Sequence, residues 1–255
     1  MVYKQTGKSV LLFSGGMDSI IHAELLNPDM ILRISLGETY EKMERQQALK
    51  VVFEMAWEKK FKEIRNVFNF TEMELDNLII PNRNAYLILK ASEYGDKIYL
   101  SAIEGDTNKD KDEPFFPLMQ NLLNHLWEEH GWTETRKFEV LAPFQKMTKT
   151  ELLAAFLARQ RATGHTEKEA ILPILTSYSC FTGDEKPCGI CKPCMRKAVA
   201  LVNNGFNIYE NEGYFVNDPL EGLEKLKDKF PGNYRGREGY DTLMAYAKMK
   251  ELPRN

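Results

Sequence analysis

The stretch SVLLFSGGMDS, residues 9–19, joins an apolar run to a glycine turn, and a helix-like segment follows it as far as Leu26. The apolar run, Ser9 to Phe13, is rich in residues that favour β-strands. Gly15 and Gly16 let the backbone approach a ligand because neither carries a Cβ atom. A strand, a glycine turn and a helix in this order are typical of sites where backbone N–H groups and the helix dipole bind phosphate. We therefore expect this loop to bind a nucleotide.

Asp18 is the unusual residue of this loop, because a carboxylate beside phosphate is repulsive unless a cation neutralises it. The simplest cation is Mg²⁺ held between Asp18 and the pyrophosphate, where it stabilises charge on the departing group. Ser14 and Ser19 can add hydroxyl donors. The other interpretation is an ordinary loop with Asp18 in the first helical turn. Under the first, which we favour, Asp18, Ser14 and Ser19 are catalytic, and the nucleotide-binding residues are Phe13, Ser14, Gly15, Gly16, Met17, Asp18 and Ser19.

The loop does not fit the two commonest phosphate-binding patterns, Walker A and the dinucleotide Gly-x-Gly-x-x-Gly. The string from Ser14 to Ser19 instead resembles the signature of the N-type PP-loop ATP pyrophosphatases. That resemblance implies cleavage of ATP to AMP and pyrophosphate. It also implies adenylation of a substrate oxygen, which nitrogen or sulfur then displaces.

Strands and helices are predicted to alternate along the chain beyond this loop. Further strands are predicted at 30–36, 62–68, 97–103 and 138–141, and helices at 40–60, 84–94, 115–130 and 148–164. Asn84 can cap one helix, and Thr148 with Glu151 forms a capping-box pattern at the start of another. This alternation predicts an α/β fold with a parallel sheet. The resemblance implies a Rossmann-like fold of the HUP (adenine nucleotide alpha hydrolase-like) kind, with helices on both faces of the sheet.

All four cysteines fall within residues 180–194, a distribution unlike that of disulfides, and such clustering indicates a metal in a reducing compartment. Two overlapping Cys-x-x-Cys steps supply three thiolates, and a turn with Gly183 and Pro187 can bring in the fourth. Four thiolates suit tetrahedral Zn²⁺, and a closed site of this kind is structural. A redox pair, an iron–sulfur cluster or unligated thiols are the alternatives. The predicted metal ligands are Cys180, Cys188, Cys191 and Cys194.

The bulk composition describes an ordinary globular chain of 255 residues with a net charge of −3. That charge argues against a protein whose whole surface binds nucleic acid. No apolar run approaches the roughly 20 residues that cross a bilayer. The polar segment 1–8 has no signal-peptide character, so we expect a cytoplasmic protein.

The character of the chain changes from Gly205 onward, where charges and aromatic residues are both frequent. We expect one or two helices packed on the main domain, with aromatic side chains as candidates for a homodimer interface. The predicted organisation is a PP-loop ATP pyrophosphatase domain at 1–176, a Cys₄ zinc segment packed on it at 177–204, and a helical appendage at 205–255. The aromatic residues of the tail are Phe206, Tyr209, Tyr214, Phe215, Phe230, Tyr234, Tyr240 and Tyr246.

The glycine loop and the cysteine cluster, in this order and at this distance, resemble the 7-cyano-7-deazaguanine synthase (QueC-like) family. The segment 80–84 (IPNRN) resembles the family's Pro-x-Arg-Asn segment before a helix. The strand 99–103 (YLSAI), followed by a polar acidic loop, resembles its substrate loop. The segments 178–181 (YSCF) and 186–194 (KPCGICKPC) resemble its zinc segment closely. The likeness runs from about residue 9 to residue 202.

The resemblance implies a reaction, the ATP-dependent conversion of 7-carboxy-7-deazaguanine and ammonia to the nitrile by way of an amide. Adenylation turns the carboxylate oxygen into a leaving group, ammonia gives the amide, and a second activation with elimination gives the nitrile. ATP, Mg²⁺ and Zn²⁺ are the implied cofactors. A chain of 29.5 kDa has no room for a glutaminase domain beside this fold, so free ammonia or a separate partner must supply the nitrogen.

The matched segments also imply site residues. Arg83 is predicted to be catalytic and to bind substrate, because a guanidinium pairs with a carboxylate or phosphate in a bidentate way. Ser101 is predicted to bind the nucleotide. The other predicted substrate-binding residues are Asn84, Asp110, Asp112 and Phe181. The plainer interpretations are a helix cap for Asn84, solvated charges for the two aspartates and simple packing for Phe181.

Two departures from the family pattern leave other functions open. The segment 36–40 (LGETY) stands where the family has a Tyr-Gly-Gln turn, and Glu113 stands where an arginine is expected. The enzyme could stop at the amide, or act on a deazaguanine attached to a nucleic acid or a protein. A tRNA-modifying transferase is a further alternative, supported by basic residues at Arg196, Lys197, Lys225, Lys227, Lys229, Arg235 and Arg237.

A non-enzymatic zinc module is the rival from a different class. The intact loop with Asp18 argues against it, because a binding module has no need of that carboxylate.

Overall fold

The structure is a computed structural model that describes residues 5–65, 67–76, 78–129, 134–210, 214–229 and 235–254. Three residues named in the sequence analysis lie outside the described residues: His130, which was predicted to end a helix, and the tail aromatics Phe230 and Tyr234. The first four residues of the polar segment 1–8 lie outside them too.

A five-stranded parallel sheet forms the centre of the molecule. Its strands are β1 (Ser9–Leu12), β2 (Met30–Ile34), β3 (Phe61–Ile64), β4 (Lys97–Tyr99) and β5 (Glu139–Leu141), and they lie in the order β3-β2-β1-β4-β5. All four pairings are parallel. Because β1 is central, chain crossovers leave it in both directions, and such a reversal point is where open α/β sheets bind ligands.

The described residues form nine α-helices around this sheet, which confirms the predicted α/β, Rossmann-like fold. The predicted capping box is present, since Thr148 Oγ1 accepts from the Glu151 N–H and Glu151 Oε2 accepts from the Thr148 N–H. The helices are α1 (Met17–Leu26), α2 (Glu41–Glu54), α3 (Arg83–Ala91), α4 (Phe115–Leu126), α5 (Lys149–Ala162), α6 (Glu167–Thr176), α7 (Lys192–Asn203), α8 (Pro219–Glu224) and α9 (Glu238–Glu251).

The two faces of the sheet carry separate hydrophobic clusters, because successive side chains of a strand point to opposite faces. Val10 and Leu12 belong to the cluster that α3 and α4 cover. Leu11 and Ile31 belong to the larger cluster, to which α1, α2, α5, α6, α7, α8 and α9 contribute. Helices therefore cover both faces, as predicted.

The C-terminal helices pack on this second cluster. Helix α9 contacts α7 and α5, and its residues Ala245 and Met249 are fully buried. Helix α8 contacts both α7 and α9. The division of the chain into the units 1–176, 177–204 and 205–255 stays a prediction. None of the described helices has the length and apolar character needed to span a bilayer.

Several predicted boundaries were wrong. Helix α2 ends at Glu54 rather than near residue 60, because Ala56 takes a left-handed conformation with φ of 53° and the Trp57 N–H turns back to the Val52 carbonyl. The strands β2, β3 and β4 end at Ile34, Ile64 and Tyr99, before the predicted ends at residues 36, 68 and 103. Asn84 does not cap α3: Asn82, with φ of 59°, precedes the helix, and Asn84 is buried inside its first turn.

Candidate active site

A cavity of about 560 Å³ opens at the carboxyl ends of β1, β2 and β4. That volume lies in the range of small-molecule pockets. One end is formed by the loop after β1, the start of α5 and the loop after β4. The other end is formed by the segment after β2 and the start of α3, and the cysteine-bearing segment supplies a wall through Ser179, Phe181 and Lys192.

The glycine loop needs its glycines at both positions. Gly15 has φ of +85°, and a Cβ there would lie 2.4 Å from the Ala48 Cβ of α2. A Cβ on Gly16 would lie 2.9 Å from Ser179 Oγ. The loop therefore packs against α2 and the cysteine-bearing segment, with no space for side chains. Of its predicted nucleotide-binding residues, all except Gly15 line the cavity: Phe13, Ser14, Gly16, Met17, Asp18 and Ser19.

The two loop serines hold the backbone of the loop. Ser19 Oγ accepts from the Gly15 N–H at 3.1 Å and donates to the Gly16 carbonyl at 2.9 Å. Ser14 Oγ accepts from the Gly16 N–H at 3.1 Å. These bonds fix the shape of the loop, and both serines line the cavity as well. Their catalytic role stays a prediction.

Asp18 forms an ion pair with Lys149, the first residue of α5. Burial alone would raise the pKa of Asp18, but Lys149 and then Arg196 outweigh it and hold that pKa below its ordinary value. Burial lowers the pKa of Lys149, and the Asp18 carboxylate opposes that effect. Lys149 is therefore a cation beside Asp18, where only Mg²⁺ is predicted from the sequence. Sequence reasoning missed Lys149, although the Thr148 capping box marks it as the first helical residue.

Asp106, Lys111 and Arg196 complete this end of the cavity. Arg196 Nη1 lies 3.0 Å from Asp106 Oδ1, and Lys111 Nζ lies 3.4 Å from Asp106 Oδ2. Burial would raise the pKa of Asp106, but Lys111, Arg196 and Lys149 hold it far below its ordinary value. None of the three is predicted from the sequence as an active-site residue, and Arg196 lies 90 positions from Asp106 in the chain.

Ser101 lies at the end of β4, in the wall of the cavity. Its carbonyl accepts from Lys111 Nζ at 3.1 Å. Its buried Oγ has no hydrogen-bond partner within the part of the chain that the structure describes. A buried hydroxyl without a partner carries a desolvation cost, which a ligand atom can offset. This is consistent with the predicted nucleotide contact of Ser101, which stays a prediction.

The opposite end of the cavity is rich in buried carboxylates. Arg33 Nη2 lies 3.3 Å from Glu44 Oε2, and Arg83 Nη1 lies 3.8 Å from Glu38 Oε1. Burial raises the pKa of Glu44 to about 7, although Arg33 acts in the opposite direction. Burial likewise raises the pKa of Glu38. Arg83 also donates to Tyr40 Oη at 3.1 Å. The sequence analysis found only Arg83 of this group.

The predicted substrate residues divide between the cavity and its support. Arg83, Asn84 and Phe181 line the cavity, whereas Asp110 and Asp112 do not. Asn84 holds the acidic loop, because its N–H donates to Asp110 Oδ2 and its Nδ2 donates to the Asp110 carbonyl, both at 3.2 Å. Asp112 pairs with Lys109 at 3.0 Å. The substrate-binding roles of all five residues stay predictions.

The four cysteine sulfurs lie within 4.8 Å of one another, and Cys180, Cys188 and Cys194 are buried. Two sulfurs accept backbone hydrogen bonds: Cys180 Sγ from the Cys188 N–H at 3.2 Å, and Cys188 Sγ from the Cys191 N–H at 3.3 Å. Four convergent sulfurs suit a tetrahedral metal. The cluster is therefore a candidate metal site, and the wall residues Ser179, Phe181 and Lys192 adjoin its ligands in the sequence.

The basic residues noted for nucleic acid are largely engaged within the protein. Lys197 is buried and donates to the Ser177 carbonyl at 2.8 Å, and Arg237 pairs with Glu104 and Glu151. Lys227 pairs with Glu224. Their role in nucleic-acid binding stays a prediction.

Comparison with known proteins gives one consistent result. The sequence profile of the family described as queuosine biosynthesis protein QueC matches residues 41–205. The 7-cyano-7-deazaguanine synthase of Methanosarcina mazei is 24% identical over 251 residues, covering 86% of this chain and 99% of the relative. The protein of the same name from Methanosphaerula palustris is 25% identical, covering 78% and 96%. That from Chlorobaculum tepidum is 21% identical, covering 78% and 94%.

Proposed function

The chain belongs to the QueC family of queuosine biosynthesis proteins, and we propose that it is an ATP-dependent carbon–nitrogen ligase acting on 7-carboxy-7-deazaguanine or a close deazapurine. The observation that carries this proposal is one cavity with two unlike ends. Cationic side chains lie around the glycine loop at one end, and Arg83 lies among carboxylates at the other end. The first end suits a triphosphate, and the second suits a polar base that bears a carboxylate.

The proposed chemistry begins with attack of the substrate carboxylate oxygen on the α-phosphorus of ATP, which forms an acyl adenylate and releases pyrophosphate. Ammonia adds to the acyl carbon, AMP leaves, and a proton is lost to give the amide. The amide oxygen then attacks a second ATP, again with release of pyrophosphate. Loss of AMP and a proton from that adenylate gives the nitrile.

The phosphate end would stabilise the negative charge that grows on pyrophosphate as it departs. Lys111, Lys149 and Arg196 line this end and supply fixed positive charge, which needs no reorganisation during the reaction. Asp18 offers the carboxylate oxygens that Mg²⁺ prefers, so it fits that ion, whereas both oxygens of Asp106 already pair with Arg196 and Lys111. When bound, Mg²⁺ neutralises phosphate charge. Lys149 would then exchange its pairing with Asp18 for a phosphate oxygen.

The opposite end would bind the deazapurine. Arg83 can pair with the substrate carboxylate, because its guanidinium presents two parallel N–H donors. Glu38 and Glu44 line the same end and can accept from the N–H donors on the edge of a guanine-like base. Phe181, whose ring centroid lies 5.9 Å from that of Tyr40, offers a face for stacking.

The acidic loop contributes to this end indirectly in our proposal. Asn84 lines the cavity, and its bonds to Asp110 fix the loop against α3. Asp112 helps to shape the same loop through its pair with Lys109.

We propose Zn²⁺ as the metal of the cysteine cluster, with Cys180, Cys188, Cys191 and Cys194 as its ligands. Four thiolates leave no position for water, so the metal would stabilise the fold and take no part in the reaction. The proposed setting is the cytoplasm, with free ammonia or a separate partner as the nitrogen source. A homodimer stays a proposal as well.

The direct test is to incubate the protein with ATP, Mg²⁺, ammonium and 7-carboxy-7-deazaguanine, and then to measure the product mass and the pyrophosphate released. We expect the mass of the nitrile and release of pyrophosphate that depends on both substrates. A product that stops at the amide mass would limit the activity to one activation. Pyrophosphate release without any change in the deazapurine, or no release at all, would contradict the proposed function.

A further inference from the structure

The C-terminal segment Arg235–Glu238 lies against the loop that follows β4, outside the residues that the family profile matches. Glu238 is only 5% exposed and faces Arg196 across this junction. Arg196 Nε lies 3.0 Å from Glu238 Oε2, and Arg196 Nη2 lies 2.7 Å from Glu238 Oε1. This bidentate pair fixes the plane of the guanidinium. The remaining nitrogen, Nη1, donates to Asp106 at 3.0 Å.

Arg235 itself lines the cavity at the phosphate end. Its Nη1 donates to the Gly105 carbonyl at 2.8 Å. Its backbone is left-handed, with φ of 52°, a conformation that is strained for a residue with a Cβ atom. The fold therefore holds this arginine at the cavity in spite of a conformational cost.

Arg237 connects the same segment to two parts of the phosphate end. It donates from its backbone N–H to Glu104 Oε1 at 3.0 Å and from Nε to Glu104 Oε2 at 2.8 Å. Its Nη1 donates to Glu151 Oε1 at 2.6 Å. Glu151 caps α5, the helix that begins with Lys149. One side chain thus joins the loop that carries Asp106 to the helix that carries Lys149.

The two surfaces are closely fitted. A Cβ on Gly105, which has φ of +84°, would lie 2.5 Å from Glu238 Oε2. A Cβ on Gly236 would lie 3.0 Å from Glu104 Oε1. The loop after β4 and the C-terminal segment therefore approach each other through glycines, which leaves room for the carboxylates that bind the arginines.

We propose that Arg235 and Arg196 together bind phosphate oxygens of the nucleotide, and that Glu238 and Arg237 are positioning residues for them. Four cations line this end, namely Lys111, Lys149, Arg196 and Arg235, and they outnumber the three carboxylates that pair with them, Asp18, Asp106 and Glu238. A cavity end with this excess favours an anion. The Arg235 guanidinium offers planar contacts that phosphate accepts well. Glu238 occupies the Nε and Nη2 edge of Arg196, so Arg196 has only Nη1 for such a contact, beside its bond to Asp106. The inference rests on the proposed binding of ATP at this site.

The test is calorimetric titration of the full chain with ATP and Mg²⁺, without any deazapurine. Arg235→Ala should raise the Kd for ATP about tenfold, the size expected for one lost charge-assisted contact. Arg235→Lys keeps the charge but loses the bidentate geometry, so we expect an intermediate Kd. Arg254→Ala is the matched control, because Arg254 belongs to the same C-terminal region but pairs with Asp218, and neither residue lines the cavity.

Glu238→Gln tests positioning, with Glu224→Gln as its exposed control. We expect Glu238→Gln to raise the Kd and the KM for ATP severalfold while the KM for the deazapurine stays unchanged. A purely structural role would instead lower Tm and change both KM values together, which would overturn the positioning role. If Glu238→Gln does not fold, the Arg235 variants carry the test alone.

The outcomes separate the two proposals. If the unaltered protein binds ATP and Arg235→Ala binds it as tightly as Arg254→Ala does, the inference is overturned and the proposed function stands. If the unaltered protein does not bind ATP at all, both are overturned.

Discussion

The two ends of the cavity hold buried carboxylates under opposite electrostatic conditions. At the phosphate end, burial would raise the pKa of Asp18 and Asp106, yet lysine and arginine side chains lower both values. At the opposite end, which holds Arg33, Glu38, Glu44 and Arg83 and is called the base end below, burial outweighs Arg33 and raises the pKa of Glu44 to about 7. Similar burial therefore gives opposite results, because the cations are concentrated at one end.

The opposite pKa shifts indicate how the carboxylates at each end respond to pH. At the phosphate end, Asp18 and Asp106 stay ionised at neutral pH, because neighbouring cations hold the pKa of both carboxyls below the ordinary value. Glu44 at the base end changes protonation near neutral pH, so binding there should depend on pH. A guanine-like edge with N–H donors would favour the ionised carboxylate, since hydrogen bonds to the charged form stabilise it.

The largest expected effect comes from the wall that both ends share. Cys191→Ser should remove one of the four proposed zinc ligands and disturb Phe181 and Lys192 together, because metal binding free energy is folding free energy in such sites. We expect loss of about one zinc per chain and unfolding of the cysteine-bearing segment, with a loss of stability of several kcal/mol. Metal analysis and thermal unfolding measure this, with Glu185→Gln, an exposed position in the same loop, as the control. A folded Cys191→Ser protein with full metal content would contradict the assignment.

The next largest effect should appear at one end of the cavity only. Asp18→Asn should lower kcat for pyrophosphate release on the order of 10²–10³-fold, because it removes the proposed Mg²⁺ ligand and leaves Lys149 without its partner. Binding of the deazapurine should change little, since Asp18 lies at the other end. Asp29→Asn is the control: this exposed carboxylate caps Ser9 at the amino end of β1, opposite the cavity. If Asp18→Asn turned over at the unaltered rate, the proposal that Asp18 and this end of the cavity act on the phosphates of ATP would be contradicted.

The fold could be predicted from the sequence because its signals are local. The apolar run before Gly15, the Thr148 capping box and the alternation of strands with helices each act over a few residues, and the structure confirmed them. Boundaries were less accurate because they depend on single residues with unusual backbone conformations. Ala56 and Asn82, both with positive φ, set the end of α2 and the start of α3. Alanine gives no sequence signal for this conformation, and asparagine, which takes it more readily, does so at single positions that a pattern does not locate.

The residues of the candidate site also fall into two groups, those in local sequence motifs and those that only the fold brings together. The glycine loop, the four cysteines and Arg83 lie in compact motifs, so the sequence pattern could show them. Lys149, Arg196 and Glu44 act at the cavity only because parallel strands bring distant segments to one edge of the sheet. The ion pair of Asp18 with Lys149 spans 131 positions, and single-sequence patterns carry no information on such pairs.

A smaller effect tests the pH dependence of the base end. The pKa of Glu44 is about 7 in the folded protein and 4.5 as the ordinary value, so the folded state binds the proton more tightly. Stability from this group is present below about pH 4.5 and is lost as pH rises through about pH 7. Glu44→Gln should remove this loss, on the order of 1–3 kcal/mol, and flatten stability between about pH 5 and about pH 8.

The activity of Glu44→Gln should fall as well, with kcat/KM for the deazapurine lower by about tenfold above pH 7. Chemical unfolding at several pH values and pH profiles of kcat/KM measure the two effects. Glu54→Gln, an exposed residue at the end of the same helix, is the matched control. Equal pH profiles for Glu44→Gln and the unaltered protein would show that the base end has no neutral titration, and the contrast between the two ends would fail.

The smallest effect concerns Ser101, in the wall of the same cavity. Its buried Oγ has no partner among the described residues, so Ser101→Ala should change stability by less than about 1 kcal/mol. If a ligand atom takes the Oγ bond, the same change should weaken ligand binding by roughly threefold to tenfold. Calorimetry with ATP and with the deazapurine identifies which ligand depends on the hydroxyl, and hence to which end of the cavity Ser101 belongs. Ser92→Ala is the opposite case, because Ser92 Oγ already donates to the Leu89 carbonyl at 2.7 Å: it should lose stability and keep both affinities. If Ser101→Ala also keeps both affinities, Ser101 is part of the wall and binds neither ligand.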